Sequence, residues 1–251
     1  MANTPFISIC IPAYGMGGQG AAFLQHSFDI MAEQDFTDFE VVVADQSDDT
    51  AVADLCAATR QLNVHHVWTR DVARQNSANA NAAMDAAQGE VIKLLFQDDF
   101  LHGPNALSAV ANAFADLGVG WVLTGCAHSA DGVAITRPFQ PRLHPRIHWG
   151  RNTVSSPSVL AVRRAKAPRF DEALTWLMDV DFYRRCQMML GEPVILPDPL
   201  VVNRIHPGQV SSQIKGALKR REFRHIRKKY RAEMGWGDYW HYLGQMRKTW
   251  L

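Results

Sequence analysis

Long apolar runs are missing from this chain: none approaches the roughly 20 residues that a membrane span needs. Nor does a basic segment lead into an apolar one at the N-terminus, so the expected location is the cytoplasm. Cysteine is scarce. Cys10, Cys56, Cys126 and Cys186 lie far apart without a CxxC pair, which argues against a zinc or redox couple and predicts buried free thiols. Internal repeats and low-complexity linkers are absent as well. What is present, 251 residues with 47% apolar and 20% charged side chains, suits one α/β domain of ordinary to large size, or one domain with an appendage.

The net charge of +1 hides an uneven distribution. Residues 215 to 251 carry eleven Lys or Arg against three acids, whereas the preceding residues carry fifteen against twenty-two. The basic end is therefore a segment with its own surface or its own partner.

Ile7 to Pro12, Phe39 to Asp45, His65 to Thr69, Val91 to Phe96 and Val119 to Thr124 read as strands. Between them, 21 to 33, 48 to 62, 76 to 88 and 104 to 117 read as helices, the third ending at Gly89. This alternation predicts a mainly parallel sheet with helices on both faces, and ligands beyond the carboxyl ends of its strands. Past residue 130 the pattern loosens. A Pro-, Arg- and His-rich loop over 138 to 150 precedes a short strand near Ser158, a helix from Trp176 to Leu190 and a strand from Leu200 to Asn203. Two C-terminal helices, Ser211 to Tyr230 and Trp236 to Trp250, close the chain.

The run Val91 to Phe96 stops at Gln97-Asp98-Asp99. Two carboxylates at the end of an inner strand must pair, bind a cation or contact a ligand, unless one of them caps the helix near Pro104. Pro12, Asp45 and Asp98/Asp99 all fall at strand carboxyl ends, a convergence that capping does not require. Gly15-Met16-Gly17-Gly18-Gln19-Gly20 matches G-x-G-x-x-G, the dinucleotide fingerprint. Its spacing is wrong, because Pro12-Ala13-Tyr14 intervene and the acid follows thirty residues on instead of about twenty. His144 and His148 have the spacing of a helical metal pair, but Pro145 sits between them and no acid follows in register.

More specific is the stretch from Asn79 through Ala87-Gln88-Gly89-Glu90 to Asp98-Asp99, which resembles the family 2 glycosyltransferases of GT-A fold, a Rossmann-like architecture. Ile9 to Tyr14 looks like the family's first strand and base-binding loop. Val43-Ala44-Asp45-Gln46-Ser47-Asp48 is similar to its Asp-Asp-Gly-Ser-x-Asp segment, with Ala44 and Gln46 as departures. Trp176 to Arg184 resembles its Glu-Asp acceptor motif, and Arg204 to Ser211 its late Arg-x-His element. The likeness runs from about Ile7 to Ser212. It implies a glycosyltransferase domain over 1–212, with a nucleotide-binding half to 100 and an acceptor half from 101, followed by a helical extension over 213–251.

The resemblance implies an inverting transfer from a nucleotide-diphosphate sugar, expected to be a UDP-sugar, to a saccharide or lipid-linked acceptor. This is chemistry of cell-surface polysaccharide or glycolipid synthesis. It assigns Pro12, Ala13, Tyr14, Asp45 and Ser47 to the nucleotide, Asp98 to the ribose, and Asn81 and Arg204 to supporting contacts. Asp99 and His206 would hold a divalent cation, Mn²⁺ or Mg²⁺, although Gln97 replaces the first Asp of the family's Asp-x-Asp pattern. Asp179 aligns with the base, and Ser156, Pro157, Ser158, Trp176 and Asp181 fall on the acceptor side. A diphosphate leaving group gathers negative charge and a hydroxyl is a poor nucleophile, so a cation and a base are what the reaction requires.

Two other classes stay open: a member of the fold that binds nucleotide or glycan without transfer, and a dinucleotide-dependent enzyme using Gly15 to Gly20. For the basic end, the sequence leaves a solvated helix face, contact with the anionic inner face of a membrane, or nucleic acid. The last is not expected, because no recognition module accompanies the charge.

Overall fold

β1 (Ile7–Ala13) is buried at all seven positions, as a strand covered on both faces must be. It lies between two parallel neighbours, β2 (Phe39–Asp45) and β4 (Val91–Leu94), and β3 (Val64–Trp68) extends the parallel sheet beyond β2. The computed structural model describes residues 4–209 and 214–250. Val210, Ser211 and the 212/213 boundary named above lie outside them.

Strand order dictates where a cleft forms. The chain runs outward from β1 to β2 to β3 and then returns to the other side of β1 as β4. Right-handed crossovers therefore put α1 (Gly20–Ala32) and α2 (Ala51–Ala58) on one face and α3 (Asn76–Ala86) on the other. The connections leaving β1 and β4 diverge at this reversal, opening a crevice beyond their carboxyl ends. Gly89 shows how tightly the return is made. A Cβ there would stand 2.7 Å from both the amide N and the Oγ of Ser8, so close approach to β1 selects this glycine. The helix has already ended at Ala86.

Beyond β4 the sheet becomes mixed. β8 (Leu160–Arg163) pairs antiparallel with both β4 and β6 (Trp121–Ser129). β9 (Val194–Arg204) runs parallel to β6 and antiparallel to the two-residue β5 (Phe100–Leu101). β7 (Thr136–Phe139) hangs from β6 and runs into the start of the loop expected over 138 to 150. Parallel ladders still hold most of the paired residues. β9 is far longer than expected, because it survives Pro197 and Pro199 through a register shift opposite Gly125. A side chain at Gly125 would meet the Pro197 carbonyl at 2.4 Å. The carboxyl end of β9 matters because it brings Asn203 to the crevice.

α4 (Ala106–Ala113) begins after Asn105, so neither Asp98 nor Asp99 caps it. α5 (Met178–Leu190), α6 (Gly216–Lys229) and α7 (Trp236–Lys248) complete the fold. Phe223, Ile226, Tyr230 and Tyr242 of the C-terminal segment belong to the same apolar core as β1 and β6. All four cysteines are buried free thiols.

Candidate active site

The crevice contains two adjoining cavities of about 450 and 580 Å³, which share Tyr14, Met16, Asn76 and Thr175 as walls. The larger is framed by the Gly15–Gly18 turn on one side and Ser47, Asp48 and Arg74 on the other. Asp45 lies beneath this chamber, fully buried, with one oxygen accepting the Ser47 N–H at 2.8 Å and the other 3.0 Å from His66 Nε2. Ser47 Oγ is buried without a partner among the described residues, an acceptor and donor left over in the wall. Ala13 is one layer further in, its carbonyl accepting from Asn79 Nδ2 at 2.9 Å. Asn81 is in neither wall. It ties α3 to Phe170 and Glu172.

The smaller chamber starts at Pro12 and Tyr14 and includes Gln97, Asp98 and Asp99. Gln97 Oε1 accepts the Tyr14 N–H at 2.9 Å, while its buried Nε2 has no partner. The two carboxylates differ sharply. Asp99 receives hydrogen bonds from Ser158 Oγ at 2.5 Å, Ser156 Oγ at 3.1 Å and the Arg204 N–H at 3.1 Å. Burial, with Asp98 beside it, raises the Asp99 carboxyl above the usual range. Asp98 is more open, and its Oδ2 lies 3.0 Å from His206 Nε2. The His206 ring rests against Phe23. The Arg204 guanidinium turns away from both chambers, donating to the Asp98 carbonyl at 3.1 Å and covering Phe23 and Phe100.

Lys93 is the residue least expected in an apolar strand. Fully buried, it donates to the carbonyls of Ser158 and Leu94, and burial pushes its amine down to about 7. It stiffens from below the same Ser158 that holds Asp99.

At the far end of this chamber stand Ser155, Ser156, Pro157, Trp176 and Asp179. Asp179 accepts from Asn152 Nδ2 and from the Val180 N–H, each at 2.7 Å, and burial pushes its carboxyl up to about 7. Asp181 points the other way, to Arg185, Lys229 and Tyr230. Behind Trp176, the buried Glu222 of α6 accepts the backbone N–H groups of Thr175, Trp176 and Leu177 at 2.8 to 2.9 Å. A carboxylate at a helix start also suits the dipole of α5.

Among the described residues three non-glycines have positive φ: Met16 (46°), Arg137 (50°) and Ser155 (99°). All three line the smaller chamber, where strain is expected if backbone placement serves a ligand. Ser155 is held by Asn152, Asn203 and Tyr183.

Comparison with known sequences decides the family. The model of glycosyl transferase family 2 matches residues 8–168, which carry β1 to β8 and both carboxylates. The chain belongs to this family. A comparison with curated protein sequences gives no match. Among solved structures, residues 1–349 of S. aureus TarS in complex with UDP-GlcNAc superpose with a TM-score of 0.67 at 19% identity, over 88% of this chain and 65% of that one. A second structure of the same S. aureus fragment gives 0.70 at 17% identity, over 96% and 71%. The mannosyltransferase PcManGT from Pyrobaculum calidifontis, in complex with GDP-Man and Mn²⁺, gives 0.63 at 18% identity, over 97% and 69%. The chain thus spans about two thirds of the length of these structures. At such identities the likeness establishes the GT-A fold.

The residues lining or bracing the two chambers differ in how they could be found. Asp98, Asp99 and Asp179 were legible as motif positions. Asn152, Asn203, Arg137 and Glu222 were not, because each comes from a loop, a strand end or a helix outside any motif. Gln97 carried a weak signal, a polar residue at the end of an apolar run. His144 and His148 form no ligand pair: His148 packs on Trp149 and Tyr230, and His144 accepts from the Arg146 N–H.

Proposed function

We propose that this protein transfers a sugar, with inversion, from a nucleotide-diphosphate donor to the hydroxyl of a saccharide or lipid-linked acceptor. A UDP-sugar is the proposed donor. The observation that carries this reading is one chamber walled by the Asp98 end of the crevice and by a base, Asp179, whose carboxyl is tuned near neutrality. In the transfer, the acceptor hydroxyl gives its proton to Asp179 as its oxygen bonds to the anomeric carbon. The bond from that carbon to the diphosphate oxygen breaks, and the diphosphate leaves with the electron pair. Attack from the face opposite the leaving group inverts the centre.

The nucleotide is assigned to the larger chamber, with Tyr14 and Ser47 against it. Asp45 would act there through the Ser47 backbone that it fixes. Among the described residues no three His, Cys, Asp or Glu side chains gather into a cage for a metal. Mg²⁺ and Mn²⁺ at phosphates need only one or two protein donors, the rest being phosphate and water oxygens, and the Asp98 and His206 donors fit that demand. The sequence assigned the cation to Asp99 and the ribose to Asp98. The three inward hydrogen bonds on Asp99, and the pairing of Asp98 with His206, support moving the cation from Asp99 to Asp98, with Asp99 positioning the strand end. When bound, the cation would neutralise charge on the departing diphosphate.

Thermal unfolding with UDP-GlcNAc or GDP-Man, with and without Mn²⁺, tests the reading. A donor at a hundred times its Kd raises stability by about 2.7 kcal/mol. Asp98→Ala removes the Mn²⁺-dependent part of that rise and leaves the melting of the free protein little changed. If no sugar nucleotide stabilises the protein under either condition, the proposal fails.

A further inference from the structure

The C-terminal helices present an outward face that the sugar-transfer chemistry does not use. On α7, Trp236, Trp240, Leu243 and Arg247 recur at i, i+4, i+7 and i+11, a single stripe along one side of the helix. The exposures are high for such side chains: 84% for Trp236, 67% for Trp240 and 38% for Leu243, with Trp250 at 71% just beyond the helix. The opposite side of α7 is already occupied. Tyr242 packs on Trp149, and Asp238 pairs with Arg146.

α6 lies alongside. Its Glu222, Ile226 and Tyr230 face the core, and Arg220 and Arg227 reach across to Thr249, Tyr239 and Tyr242 of the α7 segment. Arg221, Arg224 and Lys228, at i, i+3 and i+7, therefore share the side of α6 that is turned away from the core. They are exposed and have no hydrogen-bond or ion-pair partner among the described residues. The acids of this segment are all turned elsewhere: Glu222 to backbone N–H groups, Glu233 to Arg184 and Asp238 to Arg146. An aromatic stripe thus runs beside an uncompensated cationic one.

We propose that this two-helix face docks on an anionic lipid bilayer. Indole rings settle at the boundary between headgroups and acyl chains, and Arg and Lys beside them meet the negative headgroups. A second copy of the chain is a poorer occupant, because a two-fold contact through this face would set its cations against their equivalents. The contact is peripheral. No helix among the described residues is long and apolar enough to cross a membrane.

Co-sedimentation of the full chain with phosphatidylcholine vesicles, with and without phosphatidylglycerol, tests this independently of any transfer activity. The protein is expected to pellet with the phosphatidylglycerol vesicles, to remain in solution with phosphatidylcholine alone, and to be released by salt. Trp236→Ala with Trp240→Ala weakens partitioning by about tenfold or more. Arg221→Gln, Arg224→Gln and Lys228→Gln together weaken it on the order of a hundredfold. These side chains are exposed, so unchanged circular dichroism and thermal unfolding are expected and certify the variants as folded. Absence of binding to the anionic vesicles overturns the proposal, as does binding that both variant sets retain. A tryptophan variant that only converts a dimer to a monomer in sedimentation equilibrium, or a face that retains RNA but no vesicle, overturns it too.

Discussion

Asp179→Asn is expected to lower kcat for sugar transfer by roughly 10²- to 10⁴-fold, the usual worth of a positioned general base, while leaving donor affinity unchanged. Asn keeps the shape of Asp179 and, through its single carbonyl oxygen, one of the two N–H contacts from Asn152 and Val180, so the loss reads mainly proton transfer and not collapse of the chamber. The pH profile makes the result specific. A base whose carboxyl is pushed up to about 7 is protonated, and idle, below that pH. The wild-type kcat should therefore climb as pH rises through about 7 and level off above it. In the variant the climbing limb disappears. A steady-state series across this range, with donor binding measured in parallel, checks both parts. A variant that keeps the wild-type rate or the same limb would exclude Asp179 as the base.

The second large effect is on stability. Glu222→Ala strips three backbone N–H groups, the buried one of Leu177 and the partly buried ones of Thr175 and Trp176, of their acceptor at once. Each orphaned donor costs about 1 to 3 kcal/mol, so an overall loss of about 3 to 5 kcal/mol is expected after partial relaxation. Glu222→Gln keeps one carbonyl acceptor and should lose less. Urea unfolding of the three proteins supplies the comparison. The same loosening reaches Trp176 and Asp179 in the chamber wall, so transfer should fall even at temperatures where the Ala variant stays folded. A loss under about 1 kcal/mol for Glu222→Ala would mean that water replaces the carboxylate and that α6 does not set the loop.

The parallel half of the fold was legible because its signals are local. Ile7 to Ala13 and Phe39 to Asp45 are continuous apolar runs with an abrupt polar stop, and alternation with helices leaves few topologies. The mixed half was less so. The Pro-rich stretch through Pro197 and Pro199 read as turns ahead of a short strand from Leu200 to Asn203, whereas the bulge opposite Gly125 lets one strand, β9, run from Val194 to Arg204. The strand expected over Val91 to Phe96 stops at Leu94, where the backbone turns to deliver Gln97 and Asp98 to the crevice. Within the site, residue types were readable and their partners were not. Nothing in Asp98-Asp99 says that one faces His206 and the other two serines, because those partners arrive from 57 to 108 positions further along the chain. Lys93 was read as part of an apolar run. Its amine finds two carbonyls that only the folded sheet supplies.

The Glu222 clamp also sets an order of events. The loop it holds lies more than forty residues upstream, and Asp181 of α5 likewise waits for Lys229 and Tyr230. Domains assemble as units from the N-terminal side while a chain is being synthesised. The sheet from β1 to β4 closes on contacts made within the first hundred residues, so a crevice for the nucleotide can exist while α6 is still inside the ribosome. The wall bearing Asp179 cannot be fixed until α6 has emerged and docked. A nascent chain would thus form the β1 to β4 side of the crevice first, and docking of α6 would fix the opposite wall, Thr175 included.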